Sequence, residues 1–198
     1  MQKIAVFGGT FNPIHNGHLH LAAGFAKALG AEKVLLIPAR VPPHKAAPDL
    51  APARDRLAMC RAAAGGVFEA SDLEIRRPGP SYTSNTLREL KALRPDAELY
   101  LITGEDMFLT LEQWHEPDVI FSLATVCAAP RSEAGCGRLL EYARALRRRG
   151  ARTRVENIAY LPISSTGVRE AVRRGAGIAG LVPVPVERYI REHHLYLE

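Results

Sequence analysis

His15 and His18 lie three residues apart at the end of the run GGTFNPIHNGH, residues 8–18. Imidazole N–H donors suit phosphate oxygens, and bare backbone at Gly8 and Gly9 lets an anion come close. A helix starting near Gly17 would aim its unpaired N–H groups and the positive end of its dipole at the same spot. The structural alternative is a tight turn followed by a capping histidine. A second set stands late in the chain, at Ile163-Ser164-Ser165-Thr166-Gly167-Val168-Arg169. Three hydroxyls at a helix start can serve as an N-cap and nothing more. A cation in the first helical turn opposes the dipole unless an anion lies in front of it, so Arg169 points to a second phosphate clamp. Residues 8–18 carry neither the G-x-G-x-x-G nor the G-x-x-x-x-G-K-[ST] phosphate pattern. Phosphate binding there rests on His-x-x-His and the helix.

The elements that must position these residues alternate. Ile4-Ala5-Val6-Phe7 reads as a strand buried on both faces and ended by Gly8-Gly9. Leu19, Ala22, Ala23, Ala26 and Leu29 recur at helical spacing, and Gly30 closes that helix. Residues 34–37 form a second buried strand, completing a βαβ unit. Residues 38–52 hold five prolines and read as a long loop. The pattern then predicts a helix over about 53–64, short strands near 67–70 and 73–75, and a helix from about 81 that ends before Pro95. Strands follow at 99–102 and 123–127, an amphipathic helix at 137–149, and a last strand at 155–161. Two helices close the chain. The expected fold is α/β: an open, mostly parallel, doubly wound, Rossmann-like sheet with helices on both faces. Residues 1–198 are expected to form a single domain, with a small helical C-terminal part from about 163. In such a sheet, ligands collect at the carboxyl ends of the strands, where strand order reverses. Residues 8–18 stand at the exit of the first strand.

The chain's 198 residues are 47% hydrophobic and 24% charged, which is ordinary globular composition. The net charge of +5 fits either simple solubility or a polyanionic ligand. The one dense basic run, Arg147-Arg148-Arg149, ends a predicted helix, where cations suit the dipole, so it supports nucleic-acid binding only weakly. Cys60, Cys127 and Cys136 form no Cys-x-x-Cys pair, which argues for a reducing compartment and against a zinc site. No secretory signal is evident, and the longest mostly apolar stretch, 119–129, is too short to span a bilayer. A cytoplasmic protein with no membrane partner is expected.

His-x-Gly-His early and Ile-Ser-Ser-Thr-x-x-Arg late resemble the signature of the nucleotidyltransferase α/β-phosphodiesterase superfamily. Within it, GGTFNPIHNGHL, IPARVPPHK, PSYTSNTL, ITGEDMFLTLEQWHE and ISSTGVRE, in that order, are similar to the bacterial nicotinate-nucleotide adenylyltransferases. The resemblance covers nearly the whole chain. It implies a reaction in which ATP and nicotinate mononucleotide give deamido-NAD and pyrophosphate, with Mg²⁺ carried by the triphosphate and no metal ligand from the protein. It implies small-molecule partners and no nucleic acid, and leaves self-association open. By resemblance, Gly8, Gly9, Thr10 and Phe11 cradle the ATP phosphates, and His15 and His18 bind the α- and β-phosphates. Ile163, Ser164, Ser165 and Arg169 hold the triphosphate, with Arg169 counted beside the histidines as catalytic. Gly104 and Asp106 meet the adenosine. Trp114 stacks on the pyridine ring, Tyr82, Thr83 and His115 surround its carboxylate, and His44 and Lys45 close over phosphates. Taken alone, Trp114 could equally be a core residue, Asp106 a helix cap, and the His44–Lys45 pair a solvated surface pair. Asn12 is assigned to the mononucleotide side and departs from the family, which usually has Asp there; the charge is lost and the hydrogen-bonding oxygen kept. Three rivals remain open at this point. They are an adenylyltransferase acting on phosphopantetheine or nicotinamide mononucleotide, a non-catalytic nucleotide sensor or nucleic-acid module, and a fragment of a class I aminoacyl-tRNA synthetase. The chain is too short for the last.

Overall fold

The computed structural model describes residues 2–42 and 49–197. Its elements run β1 (Lys3–Gly9), α1 (Asn16–Leu29), β2 (Lys33–Pro38), α2 (Ala53–Ala63), β3 (Phe68–Ala70), α3 (Leu73–Arg76), α4 (Thr83–Leu93), β4 (Glu98–Thr103) and α5 (Glu105–Phe108). A 3-10 turn (Leu111–Gln113) follows, then α6 (Pro117–Leu123), β5 (Ala124–Ala128), α7 (Glu133–Arg148), β6 (Arg152–Val155), α8 (Ser165–Arg173) and α9 (Val184–Glu192). The six strands form one sheet in the order β3-β2-β1-β4-β5-β6, and every neighbouring pair is parallel. The expected open α/β sheet is present, wholly parallel rather than mostly so.

β1 shows why its residues must be apolar throughout. Ala5 and Phe7 face a core built with Phe25 of α1, Met59 of α2, Val168 of α8 and Val186 of α9. Ile4 and Val6 face the opposite core, with Leu87 of α4, Phe108 of α5, Ile120 of α6 and Leu139 of α7. A strand buried on both faces has no polar side to alternate with. α8 and α9 thus pack into the same core as α1. α1 ends where expected: Gly30 adopts φ 62°, and its N–H reaches the Ala26 and Lys27 carbonyls. That left-handed cap suits a residue without Cβ.

The sheet departs from expectation at its edges. Residues 73–75 are not a strand but the helical turn α3. Ser71 Oγ accepts from the Leu73 N–H and the Asp72 carbonyl accepts from the Arg76 N–H, so the chain turns directly after the edge strand β3. The last strand is Arg152–Val155, not 155–161. On that edge Arg152 and Arg154 point outward and only Thr153 is buried, so charge conceals the strand. Beyond Val155, the apolar residues of 156–161 belong to a surface segment whose Ile158 packs tightly over Gly24 of α1. α7 starts at Glu133, not 137, because Ser132 caps it at the Gly135 N–H. α6, with Pro117 in its first turn, was not expected at all. Among the described residues no helix is long and apolar enough to cross a membrane.

β1 lies between β2 and β4, so the direction in which strands are added reverses beside it. The crevice between the carboxyl ends of β1 and β4 brings Gly8-Gly9 next to Thr103-Gly104.

Candidate active site

A cleft of about 440 Å³ opens at that crevice. Gly8, Gly9, Thr10 and Phe11 line it as the chain leaves β1. Phe11 has φ 47°, a conformation costing about 1–3 kcal/mol for a residue with a side chain, and packing holds it there. Its buried ring meets Phe7 edge-on at 5.4 Å and His18 edge-on at 5.1 Å.

His15 is the N-cap of α1 and His18 its third residue, and the two make a reciprocal cap. His15 Nδ1 accepts from the His18 N–H at 3.3 Å, and His18 Nδ1 accepts from the His15 N–H at 3.3 Å. Their rings stack at 3.6 Å, and both line the cleft. A nitrogen that accepts a hydrogen bond carries no proton, so each neutral ring holds its proton on Nε2. Capping and phosphate binding are therefore compatible here, because the cap uses Nδ1 and puts the ring proton on Nε2. His15 is 5% exposed, and burial holds its imidazole down from the ordinary 6.5 to about 4.

This burial has a consequence for stability. Between pH about 4 and 6.5 the unfolded chain binds a proton at residue 15 that the folded one does not. Stability contributed by His15 is therefore lost as pH falls through 6.5 and levels off below about 4. The full effect is about 3 kcal/mol. Urea unfolding across this range should show that slope, and His15→Asn, which keeps a capping oxygen, should flatten it. An unchanged slope in the variant would remove His15 as its source.

The start of α8 meets the start of α1. A Cβ on Gly17 would stand 3.1 Å from His15 Nδ1 and 3.3 Å from the Ile163 carbonyl, so glycine permits this approach. Ile163, Ser164 and Ser165 line the cleft. Ser164 Oγ caps α8 by accepting from the Gly167 N–H at 3.1 Å, and Ser165 Oγ donates to the Pro13 carbonyl at 2.9 Å. Arg169 stands behind them and is not on the cleft wall. Its Nη1 donates to the Asn12 carbonyl at 3.0 Å, and its buried Nε has no hydrogen-bond partner among the described residues. Asn12 is likewise buried and off the wall. Its Nδ2 donates to the Asp49 carbonyl at 2.9 Å, while Oδ1 accepts from the Ala51 N–H and the Tyr196 hydroxyl. A carboxylate at this position could not make the first of these bonds, which gives the amide a local reason.

Gly104 lines the cleft at the end of β4, and Asp106 stands off its wall, mostly exposed. Asp106 pairs with Arg131 at 2.8 Å. Arg131 lines the cleft, lies 5.9 Å from the Tyr160 ring centroid, and donates its backbone N–H to buried Glu105 at 2.6 Å. The other end of the cleft is aromatic. Tyr82 stacks on His115 at 4.1 Å, and Trp114 lines the same wall while its far side packs against the core. Thr83 opens α4 there, and no side chain caps that helix. His115 Nε2 lies 3.3 Å from Glu116, whose carboxylate takes two bonds from Arg88 and is held down at about 2. Buried Glu74 lines this end too and accepts from Thr86 Oγ1 at 2.7 Å, and burial pushes its carboxyl up. His44 and Lys45 lie outside the described residues.

Residue patterning did not single out Arg131, Glu74 or Thr86. Arg131 had a legible signal, a cation just past a strand's carboxyl end. Glu74 and Thr86 had none, since only packing of α3 against α4 brings them together. The spelling G-x-G-x-x-G does occur once, at Gly175, Gly177 and Gly180. It joins α8 to α9 rather than a strand to a helix, so it lacks the setting a dinucleotide fingerprint needs.

A family model described as cytidylyltransferase-like matches residues 6–171. A relative from Synechococcus sp. (strain JA-3-3Ab) is 41% identical over 203 residues, covering 100% of this chain and 96% of its own. One from Symbiobacterium thermophilum is 42% identical over 204 residues, with 100% and 96% covered. Both are named probable nicotinate-nucleotide adenylyltransferases. Among solved structures, the nicotinic acid mononucleotide adenylyltransferase of Plasmodium falciparum complexed with NaAD superposes with a TM-score of 0.78 at 18% identity, covering 99% and 98% of the two chains. That likeness is one of fold. On the full-length identity to its bacterial relatives, the chain belongs to the nicotinate-nucleotide adenylyltransferase family.

Proposed function

We propose that this cleft joins the adenylyl group of ATP to nicotinate mononucleotide, giving deamido-NAD and pyrophosphate. One observation carries the assignment of ends: a single cleft has the His15–His18 pair and the start of α8 at one end, and the Trp114–Tyr82–His115 wall at the other. The first suits phosphates and the second a pyridine ring with its carboxylate.

A phosphate oxygen of the mononucleotide attacks the α-phosphorus of ATP in line. The bond from that phosphorus to the bridging oxygen breaks, and pyrophosphate leaves with the electron pair. A phosphate monoester is already nucleophilic at neutral pH, so the protein needs no general base and contributes position and charge neutralisation. The Nε2–H groups of His15 and His18 donate to the α- and β-phosphates. The backbone of Gly8 to Phe11 and the Ser164 hydroxyl cradle the chain of phosphates. Arg169 holds the loop from behind at Asn12. Gly104 borders the adenosine, with Asp106 just off the wall and paired with Arg131 at the same rim, and Trp114 stacks on the pyridine ring.

Among the described residues no group of three His, Cys, Asp or Glu side chains could hold a metal ion. The acids on the cleft wall are committed to partners, Glu105 to the Arg131 N–H and Glu74 to Thr86. The donor set thus suits a Mg²⁺ ligated by phosphate oxygens, where its charge offsets that of the triphosphate. The protein is expected to release pyrophosphate from Mg·ATP only when nicotinate mononucleotide is added. ATP binding with no pyrophosphate under any pyridine nucleotide would instead make it a nucleotide sensor. Release driven by phosphopantetheine would move it to another branch of the superfamily.

A further inference from the structure

Arg56, on α2, is fully buried. Its guanidinium donates through Nε to the Ala51 carbonyl at 2.9 Å, through Nη1 to Thr10 at 2.7 Å, and through Nη2 to Arg40 at 3.3 Å. Three carbonyls engage each of its three nitrogens once but bring no net charge. The nearby acids are engaged elsewhere: Asp55 with Tyr189 and Arg54, Asp49 with Arg173. Among the described residues no carboxylate pairs with Arg56. Arg169 repeats the arrangement two residues along the same loop, on the Asn12 carbonyl. The Tyr196 hydroxyl, which donates to Asn12 Oδ1, feels both guanidiniums.

A buried cation without a counter-charge is expensive, and arginine does not shed its proton to escape the cost. Thr10 supplies the reason to keep it. This residue lines the cleft on one side, while its carbonyl is gripped by Arg56 on the other. The charge therefore stands one peptide unit behind the surface that meets the phosphates, in a region where water screens it little. The same guanidinium ties Thr10 to both stems of the proline-rich loop, at Arg40 and Ala51.

We propose that Arg56 is a positioning residue for polyphosphate: its carboxylate-free guanidinium holds the Thr10 loop against both loop stems and lends it a positive charge that bound phosphates complete. The ligand class is a nucleoside triphosphate or any linear polyphosphate. The inference rests on the reading that ATP binds in this cleft.

The test compares Arg56→Gln and Arg56→Lys with the parent, using adenosine, ATP and inorganic tripolyphosphate as separate ligands in titration calorimetry. Both variants lose carbonyl bonds, but only the lysine keeps a charge. Burial disfavours the ammonium and the facing carbonyls favour it, so the titration is run at about pH 6.5, on the acid side of neutrality. Arg56→Gln should weaken ATP and tripolyphosphate by about tenfold or more and adenosine by less than about twofold. Arg56→Lys should keep ATP within about threefold of the parent. Equal weakening of adenosine and ATP by Arg56→Gln would make the residue merely structural and overturn the proposal. Should Arg56→Gln fail to fold, the lysine variant decides alone, and a loss of about tenfold in its ATP affinity overturns the role of charge. Tripolyphosphate tracking ATP assigns the effect to phosphates; tripolyphosphate unaffected while ATP weakens would overturn it. A parent protein that binds neither ATP nor tripolyphosphate would defeat the underlying reading of the cleft instead.

Discussion

His18→Ala is expected to lower kcat about a hundredfold while the protein stays folded. The reason lies in where the charge develops. As the α-phosphorus passes between two oxygens, negative charge grows on its equatorial oxygens and on the departing pyrophosphate. A donor fixed in advance and aimed at that charge does more for the transition state than for bound ATP, so kcat should fall further than KM for ATP rises. His18 has its tautomer set by the reciprocal cap with His15 and its ring held edge-on to Phe7 and Phe11. The substitution also deletes the acceptor for the His15 N–H, at a cost of about 1 kcal/mol. His18→Asn separates the two effects. Its side-chain oxygen can restore the cap and the stability, but it cannot place Nε2–H, so its turnover should stay as low as that of the alanine variant. Full recovery of turnover in His18→Asn, or turnover of His18→Ala within about threefold of the parent, would reduce His18 to a helix cap.

The same histidines show why this part of the site was legible in sequence. A helix cap at a strand exit and a phosphate site ask for overlapping residue types, so either reading of His15 and His18 leads to the wall of the same cleft. β1 and α1 were equally legible. Ile4-Ala5-Val6-Phe7 has to be buried on both faces, and the apolar spacing of α1 runs uninterrupted to a left-handed glycine. β6 was hidden because an edge strand is free to carry Arg152 and Arg154 outward, leaving one buried residue as its whole signal. Arg169 shows a different limit. Residue type and helix position predict a cation near an anion, but its side chain finds the Asn12 carbonyl first and takes its place behind the loop. Asn12 is the reverse case. Set beside its usual family counterpart it looked like a change at the ligand, and the fold turns it inward to bond the Asp49 carbonyl. Local patterns thus reported backbone conformation well. They could not report which partner, distant in sequence, claims a side chain's last hydrogen bond.

Nicotinate mononucleotide should be preferred over its nicotinamide counterpart by at least about a hundredfold in kcat/KM. The end of the cleft proposed to take the pyridine ring sets the backbone donors of a helix start among aromatic rings. Among the described residues no side chain caps α4 at Thr83, and Glu116, which accepts from Ser84 Oγ in that first turn, has its charge offset by Arg88, so the leading N–H groups and dipole of the helix suit a carboxylate. Arg77, paired with Glu89 at 3.1 Å, braces the same helix start from behind through the Tyr82 carbonyl and Thr86 Oγ1. A carboxylate offers two acceptors to such a wall. A carboxamide offers one, and its NH₂ then faces an N–H with nothing between them to accept, while the favourable charge is lost. Stacking on Trp114 does not distinguish the two rings, so Trp114→Ala should weaken both substrates and leave the ratio nearly unchanged. His18→Ala should leave the ratio unchanged too, because the phosphates proposed to meet the histidine are common to both reactions. Comparable turnover of the two mononucleotides by the parent would show that α4 does not read the carboxyl group. A ratio that collapsed in His18→Ala would show that the pyridine and phosphate ends are coupled through the bound substrate, and the division of labour drawn between them would fall.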